Sequence, residues 1–173
     1  VAIIPTGNEL VEPGSKIPSN KIVASNSYGL AAMLKLFGAD PKLFPITSDS
    51  LFDIKNILKE TTNFDLILTI GGASVGDYDL VMESALSLGL KVIFRSVALK
   101  PGKPLFAGKF YNKILIGLPG NPVSSLLTCF IIVKPVIEKM LNLEANIEKL
   151  KIYAQLKGNL DKNGKRKHYQ RAI

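Results

Sequence analysis

Leu66-Ile67-Leu68-Thr69-Ile70-Gly71-Gly72-Ala73-Ser74-Val75-Gly76-Asp77-Tyr78-Asp79 is the stretch around which the chain is organised. An apolar run of strand type stops abruptly in a glycine-rich turn. The turn delivers two carboxylates, Asp77 and Asp79, just before a helical pattern begins. Glycines at Gly71, Gly72 and Gly76 let the backbone approach a ligand closely. Successive amides in such a turn can point at an anion, and the helix start that follows favours negative charge. Asp77 and Asp79 are hard oxygen donors of the kind Mg²⁺ takes when it is shared with a phosphate. The alternative for the stretch by itself is a tight strand-to-helix turn with solvated acids.

The flanking sequence places this unit in a repeating order. Val1 to Ile4 reads as a buried strand closed by Pro5-Thr6-Gly7, and Glu9 follows just past its C-terminal end, as a ligand or as a solvated loop carboxylate. Ser25-Asn26-Ser27 supplies N-cap chemistry. Leu30, Met33, Leu34 and Phe37 then recur at helical spacing, and Gly38 suits the helix end. Lys42 to Ile46 reads as the next strand. Asp49 precedes a helix carrying Ile54, Ile57 and Leu58 on one face, and it either caps that helix or joins Glu9 at the sheet edge. Asp65 to Ile70 is a strand, a helix runs from Asp79 to Gly89, and Lys91 to Leu99 is a further strand. Strand and helix alternating in this way predict a three-layer α/β/α fold with a mostly parallel sheet. Leu105–Gly108 and Lys113–Leu118 flank Tyr111-Asn112 as a hairpin, which makes the sheet mixed.

A chain of 173 residues, 47% hydrophobic and 21% charged, can bury a substantial core. No apolar run reaches the roughly 18 residues that a membrane-crossing helix needs. A single cysteine, Cys129, excludes an internal disulfide, and its apolar neighbours mark it as a buried thiol rather than a nucleophile. With no secretory leader in view, a cytoplasmic location is expected. The net charge of +8 is concentrated: residues 144–173 hold eight of the 22 Lys and Arg and only three of the 14 Asp and Glu. No nucleic-acid recognition motif accompanies that surplus, which reads as a solvated basic hairpin. The single histidine, His168, lies in the same tail, so neither a Ser–His–Asp set nor a Cys/His zinc cage can be built.

Two further segments carry chemistry. Lys100-Pro101-Gly102-Lys103-Pro104 holds two lysines on stiff backbone at a strand end. That suits a phosphate or oxyanion, or is a rigid surface turn. Gly117-Leu118-Pro119-Gly120-Asn121-Pro122-Val123-Ser124 opens a long apolar helix with Asn121 as cap and Pro122 at the first helical position. The helix N-terminus there is open to an anion, or simply capped. The helix runs to about Leu141, and Pro135 is expected to kink it. From residue 144 the character changes, with a strand expected at Ile152–Leu156, an Asn163-Gly164 turn and a returning strand at Tyr169–Ile173. The expected division is an α/β domain over 1–143 and the beginning of a small β domain over 144–173. If the strands are parallel, Glu9, Asp49, Asp77, Asp79, the glycine turn, the lysine segment and Asn121-Pro122 fall on one rim. Carboxylates for a divalent cation and amides and lysines for oxyanions are a kit for a metal-assisted phosphate-ester reaction.

Thr6-Gly7-Asn8-Glu9-Leu10, the Gly71–Asp79 turn, Lys100–Pro104 and Gly117–Ser124 occur in the order seen in the molybdopterin molybdotransferases, the MoeA family that includes the gephyrin E-domain. The sequence resembles that family's catalytic domain over residues 1 to about 143. The tail from Gly164 to Arg171 looks like the start of its C-terminal β domain. The resemblance implies a MogA/MoeA-like molybdopterin-binding fold. It implies insertion of molybdate into adenylylated molybdopterin with release of AMP, assisted by a divalent cation such as Mg²⁺. Carried over by motif, Glu9, Asp49 and Asp79 would be metal-associated acids, with Asp49, Asp79, Lys100 and Lys103 in the catalytic set. Gly71, Gly72, Ser74, Gly76, Gly120, Asn121, Pro122 and Ser124 would hold the phosphate-bearing substrate, and Pro101, Gly102 and Pro104 would border its molybdate and pterin end. Asn8 stands where the family usually has Asp, Ser50 where a second Asp is common and Ala73 where Val is usual. The family also implies a homodimer and an adenylyltransferase partner, no nucleic acid and no membrane, with weak binding and little turnover by this chain alone. An adenylyltransferase-like enzyme and a gephyrin-like scaffold are the alternatives of the same fold group.

Overall fold

The computed structural model describes residues 1–71, 79–143, 152–159 and 164–170. Gly72, Ser74, Gly76 and Asp77, singled out above, lie outside the described residues, as do Asn163 and Arg171–Ile173. One sheet of six strands forms the middle layer. In chain order its members are β1 (Ala2–Pro5), β4 (Lys42–Leu43), β5 (Leu66–Ile70), β6 (Lys91–Phe94), β8 (Phe106–Phe110) and β9 (Lys113–Leu118). They lie side by side as β4-β1-β5-β9-β8-β6. The first four are mutually parallel, and β8 is antiparallel to both of its neighbours. The hairpin between β8 and β9 turns at Tyr111 and Asn112, both with positive φ, the geometry that matches strand twist in a two-residue turn.

Alternate side chains of the strands feed two cores, which is what a sheet covered on both faces requires. On one face Ile3, Leu66, Leu68, Ile70, Ile116 and Leu118 meet Leu30 and Leu34 of α1 (Ser25–Leu36) and Cys129, Val133 and Ile137 of the long helix that follows β9. On the other, Ala2, Ile4, Ile67 and Leu115 meet Ile54 and Leu58 of α2 (Leu51–Glu60) and Val81, Met82 and Ala85 of α3 (Leu80–Ser87). The expected three-layer mixed α/β/α architecture is thus the observed one.

Several local expectations change. Asp49 does not cap α2: Ser50 does, its hydroxyl accepting from the Asp53 amide. None of Ser25, Asn26 and Ser27 caps α1, which starts after Ala24 with no side-chain cap. The chain between Lys91 and Leu99 is not one strand, because β6 ends irregularly at Phe94 and β7 (Leu99–Lys100) leaves the main sheet. Pro135 acts upstream of itself. α4 (Pro122–Thr128) and α5 (Lys134–Met140) are joined by a widened π turn over Cys129–Val133, with the Lys134 amide reaching back to the Cys129 carbonyl. Proline lacks an amide hydrogen and its ring crowds the preceding turn, and a π turn accommodates both. In the tail, Ile152–Leu156 forms no strand, and Ile152 and Tyr153 are 92% and 95% exposed. An alternating pattern makes a strand only where another strand offers its edge. β10 is instead Lys167–His168, ahead of the predicted returning strand, and it pairs in parallel with β7.

Candidate functional site

The parallel strands deliver their ends to one rim. The Thr6 amide donates to the Ile70 carbonyl (2.9 Å) and the Gly71 amide to the Leu118 carbonyl (3.3 Å), so the exits of β1, β5 and β9 are stitched together. The chain reverses its direction of travel across the sheet between β1 and β5. Ligand crevices open at such reversals, outside the carboxyl ends of the strands. A cleft of about 290 Å³ lies there. Its floor is Thr6, Ile70, Gly71 and Gly120. Gly71 has φ of +93°, and a Cβ on it would stand 2.4 Å from the Thr6 carbonyl oxygen. The floor therefore has no room for a side chain at Gly71.

The walls come from two sources. A two-stranded flap, β2 (Leu10–Val11) beside β3 (Ile22–Val23), closes one side and contributes Leu10, Ile22 and Val23. Glu9, at the root of the flap, lines the same cleft. The first turn of α1 forms the other wall with Ser25, Asn26 and Ser27, and Pro122 stands at the start of α4. Asn121 caps α4, accepting from the Ser124 amide (3.2 Å) and the Ser124 hydroxyl (3.4 Å).

Of the residues singled out in the sequence, Glu9, Gly71, Gly120 and Pro122 share this cleft, with Asn121 and Ser124 directly behind it. Asp49 sits on the next loop. Its carboxylate accepts from the Asn8 amide, and the Asn8 side-chain oxygen accepts from the Asp49 amide, both at 3.0 Å. That reciprocal pair fixes Asp49 beside the Glu9 loop, and the Lys21 ammonium donates to the Asn8 carbonyl. Asp79 caps α3 by accepting from the Met82 amide (2.9 Å). Burial raises its carboxyl above the ordinary value, against the pull of the Met82 and Val81 amides. Lys100, Pro101, Gly102, Lys103 and Pro104 are outside the cleft lining. Lys100 ends β7 and the other four follow it, with Gly102 packed against the Thr128 methyl and the Lys103 carbonyl accepting from the Val97 amide.

Among the described residues no three His, Cys, Asp or Glu side chains converge as a metal cage. Glu9 and Asp49 can offer oxygen to a hard cation only where a ligand's phosphate completes the shell, which is how Mg²⁺ is commonly held. The structure also shows features that residue type did not reveal. Asn26 reads as a cap in sequence but donates to the Gly120 carbonyl (2.7 Å), joining two parts of the cleft wall. The basic tail returns to the lysine segment: Lys167 donates its amide to Ala98 and Tyr169 to Lys100, which sets Arg166 and Lys167 beside β7. No periodicity in a two-residue strand could have signalled that pairing.

Residues 2–139 match the model of a family described as "Probable molybdopterin binding domain". A protein of Nostoc named molybdopterin molybdenumtransferase is 41% identical over 98% of this chain and 40% of its own length. A protein of the same name from Haemophilus influenzae is 35% identical over 81% of this chain and 35% of its own. A solved structure titled molybdopterin biosynthesis moea protein from Pyrococcus horikosii superposes with a TM-score of 0.75 at 30% identity, covering 83% of this chain and 35% of that one. The chain therefore spans about two fifths or less of the length of these relatives.

Proposed function

This chain belongs to the molybdopterin-binding-domain family, and from that membership we propose that it is the α/β part of a molybdopterin molybdotransferase. The whole protein would take adenylylated molybdopterin and molybdate, cleave the adenylyl phosphate bond, insert molybdenum into the dithiolene and release AMP. The observation that carries the reading is the cleft at the β1–β5 reversal. It combines a floor of bare backbone at Gly71 and Gly120 with the carboxylate of Glu9, which has no hydrogen-bond or ion-pair partner among the described residues. Backbone amides and helix starts suit a phosphate, and a nearby carboxylate suits a cation shared with it.

In this reading Gly71 and Gly120, with Gly72, Ser74 and Gly76, receive the phosphate-bearing part of the substrate. Asn121, Pro122 and Ser124 hold the α4 start against it. Glu9 and Asp49 supply the acids at one side, with Asp79 at the base of the glycine turn, and Mg²⁺ is taken up together with substrate phosphate. Lys100 and Lys103, on the stiff backbone of Pro101, Gly102 and Pro104 and flanked by the basic strand β10, offer positive charge to molybdate. Cytoplasmic location, a homodimer and an adenylyltransferase as upstream partner complete the proposal. Among the described residues no helix is long and apolar enough to cross a membrane.

The test is AMP release by the full-length protein given adenylylated molybdopterin, with and without molybdate. Molybdate-dependent AMP release that falls at least about 100-fold in Asp49→Ala and Glu9→Gln, with unchanged melting, supports the reading. AMP release indifferent to molybdate, or variants as active as the parent protein, would overturn it.

A further inference from the structure

We propose that Asn26 is a positioning residue for this site: it locks the β9–α4 turn so that the Gly120 carbonyl is held away from the ligand phosphate. The inference rests on the reading of the cleft as a phosphate site. Asn26 lies in the first turn of α1, two residues beyond Ala24, the position from which a side chain can cap the helix start. It spends one amide hydrogen on the Gly120 carbonyl at 2.7 Å, joining elements 94 residues apart. Both residues line the cleft.

What the bond does follows from where Gly120 sits. A Cβ on Gly120 would stand 3.4 Å from the Gly71 Cα, so its backbone packs directly against the glycine floor. The next residue is Asn121, the cap of α4. One peptide plane thus joins the floor of the cleft to the helix start. A carbonyl with no donor in such a place is free to turn its oxygen towards the ligand, where it would repel a phosphate oxygen. Asn26 removes that option and adds no charge. Among the described residues the Gly120 carbonyl is the partner of the Asn26 side chain. On the other side the Ala24 amide donates to the Val11 carbonyl (2.9 Å), and this ties the same helix start to the flap. Asn26 therefore links the flap side of the cleft to its glycine side.

The residue type is specific to this task. Aspartate at position 26 would be nearly isosteric, but it cannot donate to the carbonyl and would add a negative charge opposite the phosphate. Alanine would remove the donor without adding charge. A purely structural residue predicts the same loss from both substitutions, tracking stability. A positioning residue predicts a graded loss of ligand affinity, larger for aspartate, with little loss of stability.

The experiment uses the full-length protein and the variants Asn26→Ala and Asn26→Asp. AMP and adenylylated molybdopterin are titrated, steady-state constants are measured, and amide hydrogen exchange is followed at Asn121–Ser125. The expected result is AMP affinity weakened about tenfold in Asn26→Asp and less in Asn26→Ala, the size of effect that loss of one hydrogen bond to a ligand-facing group produces. KM rises while kcat stays within about threefold, the pattern of lost uniform binding. Exchange at Ser124 and Ser125 quickens, and the melting temperature holds. Unchanged affinity and exchange in both variants would overturn the proposal, as would losses equal in the two variants and proportional to destabilisation. If the parent protein binds no AMP, the functional reading fails by itself. Quickened exchange in the variants would then still support Asn26 as the lock on the turn, and unchanged exchange would end that idea too.

Discussion

Gly71 shows how one residue can be fixed by geometry alone. Its φ is +93° and the space of its missing Cβ lies 2.4 Å from the Thr6 carbonyl oxygen. Substituting alanine there meets both backbone strain and a clash with backbone that cannot swing aside. Gly71→Ala is expected to cost about 2–4 kcal/mol in chemical denaturation, beyond the cost of an ordinary surface change. Cys129 is a second case in which the surroundings set the behaviour. Burial among apolar side chains pushes its thiol up to about 12 from 9.0. The sign follows by linkage: above pH 9 the unfolded thiol loses its proton while the folded one keeps it. The contribution is therefore complete below pH 9 and is lost as pH climbs towards 12. Thiol reagents at pH 8 are expected to label Cys129 only at the rate of unfolding, which stopped-flow labelling across a denaturant series would check. A label that reacts at once in the native protein would contradict the buried position. Both residues carried a signal in the sequence. Glycine after an apolar strand pointed to a turn, and cysteine among Leu127, Phe130 and Ile131 pointed to the core. The clash partner and the size of the thiol shift come from chain segments distant in sequence.

At the scale of elements, the helix starts divide the acids by task. Asp79 caps α3 through the Met82 amide, whereas the α2 cap is Ser50 and leaves Asp49 to the Asn8 loop. Asp79→Ala is expected to cost about 1 kcal/mol, and Asp79→Asn, which keeps an acceptor oxygen, less than half of that. Ser50→Ala is expected to cost up to about 1 kcal/mol, while Asp49→Ala leaves α2 intact because its carboxylate accepts nothing from that helix. Thermal melts of the four variants would sort these assignments, and an Asp49→Ala protein as destabilised as Ser50→Ala would reverse them. In sequence, adjacent Asp49 and Ser50 are equally good caps. The choice was made by Asn8, 41 residues away, which exchanges two hydrogen bonds with Asp49. Asn26 does not cap α1 for a different reason: the helix starts after Ala24, so Asn26 lies inside its first turn, where its side-chain amide donates to the Gly120 carbonyl.

For the molecule as a whole, the α/β layers and the basic tail are unequal in what they bury. The two cores draw on residues between Ala2 and Ile137. The described tail touches the main body through β10 on β7, and Ile152, Tyr153 and Leu156 are largely exposed. Ending the chain after Leu143 is therefore expected to leave the cooperative unfolding transition and shift its midpoint by no more than a few degrees, roughly the effect of 1 kcal/mol in a domain of this size. The same truncation should weaken binding of a tetrahedral oxyanion such as molybdate, since it removes Lys167 and Arg166 from beside β7. Calorimetry and anion titration of the two lengths would check both, and loss of the transition would place part of the core in the tail. The sequence by itself determined the layers and the parallel sense of the central strands, and with it the shared edge at which β1, β5 and β9 end. Those properties follow from local periodicity, helix and turn chemistry and the alternation of elements, each of which acts within a few residues. Tertiary structure alone decided which acid caps a helix, that Asn26 bonds the Gly120 carbonyl, that the helix before Pro135 widens into a π turn, and where the tail docks. Those outcomes depend on which donor meets which carbonyl once distant segments are packed, and one residue's type does not encode the neighbour it will meet.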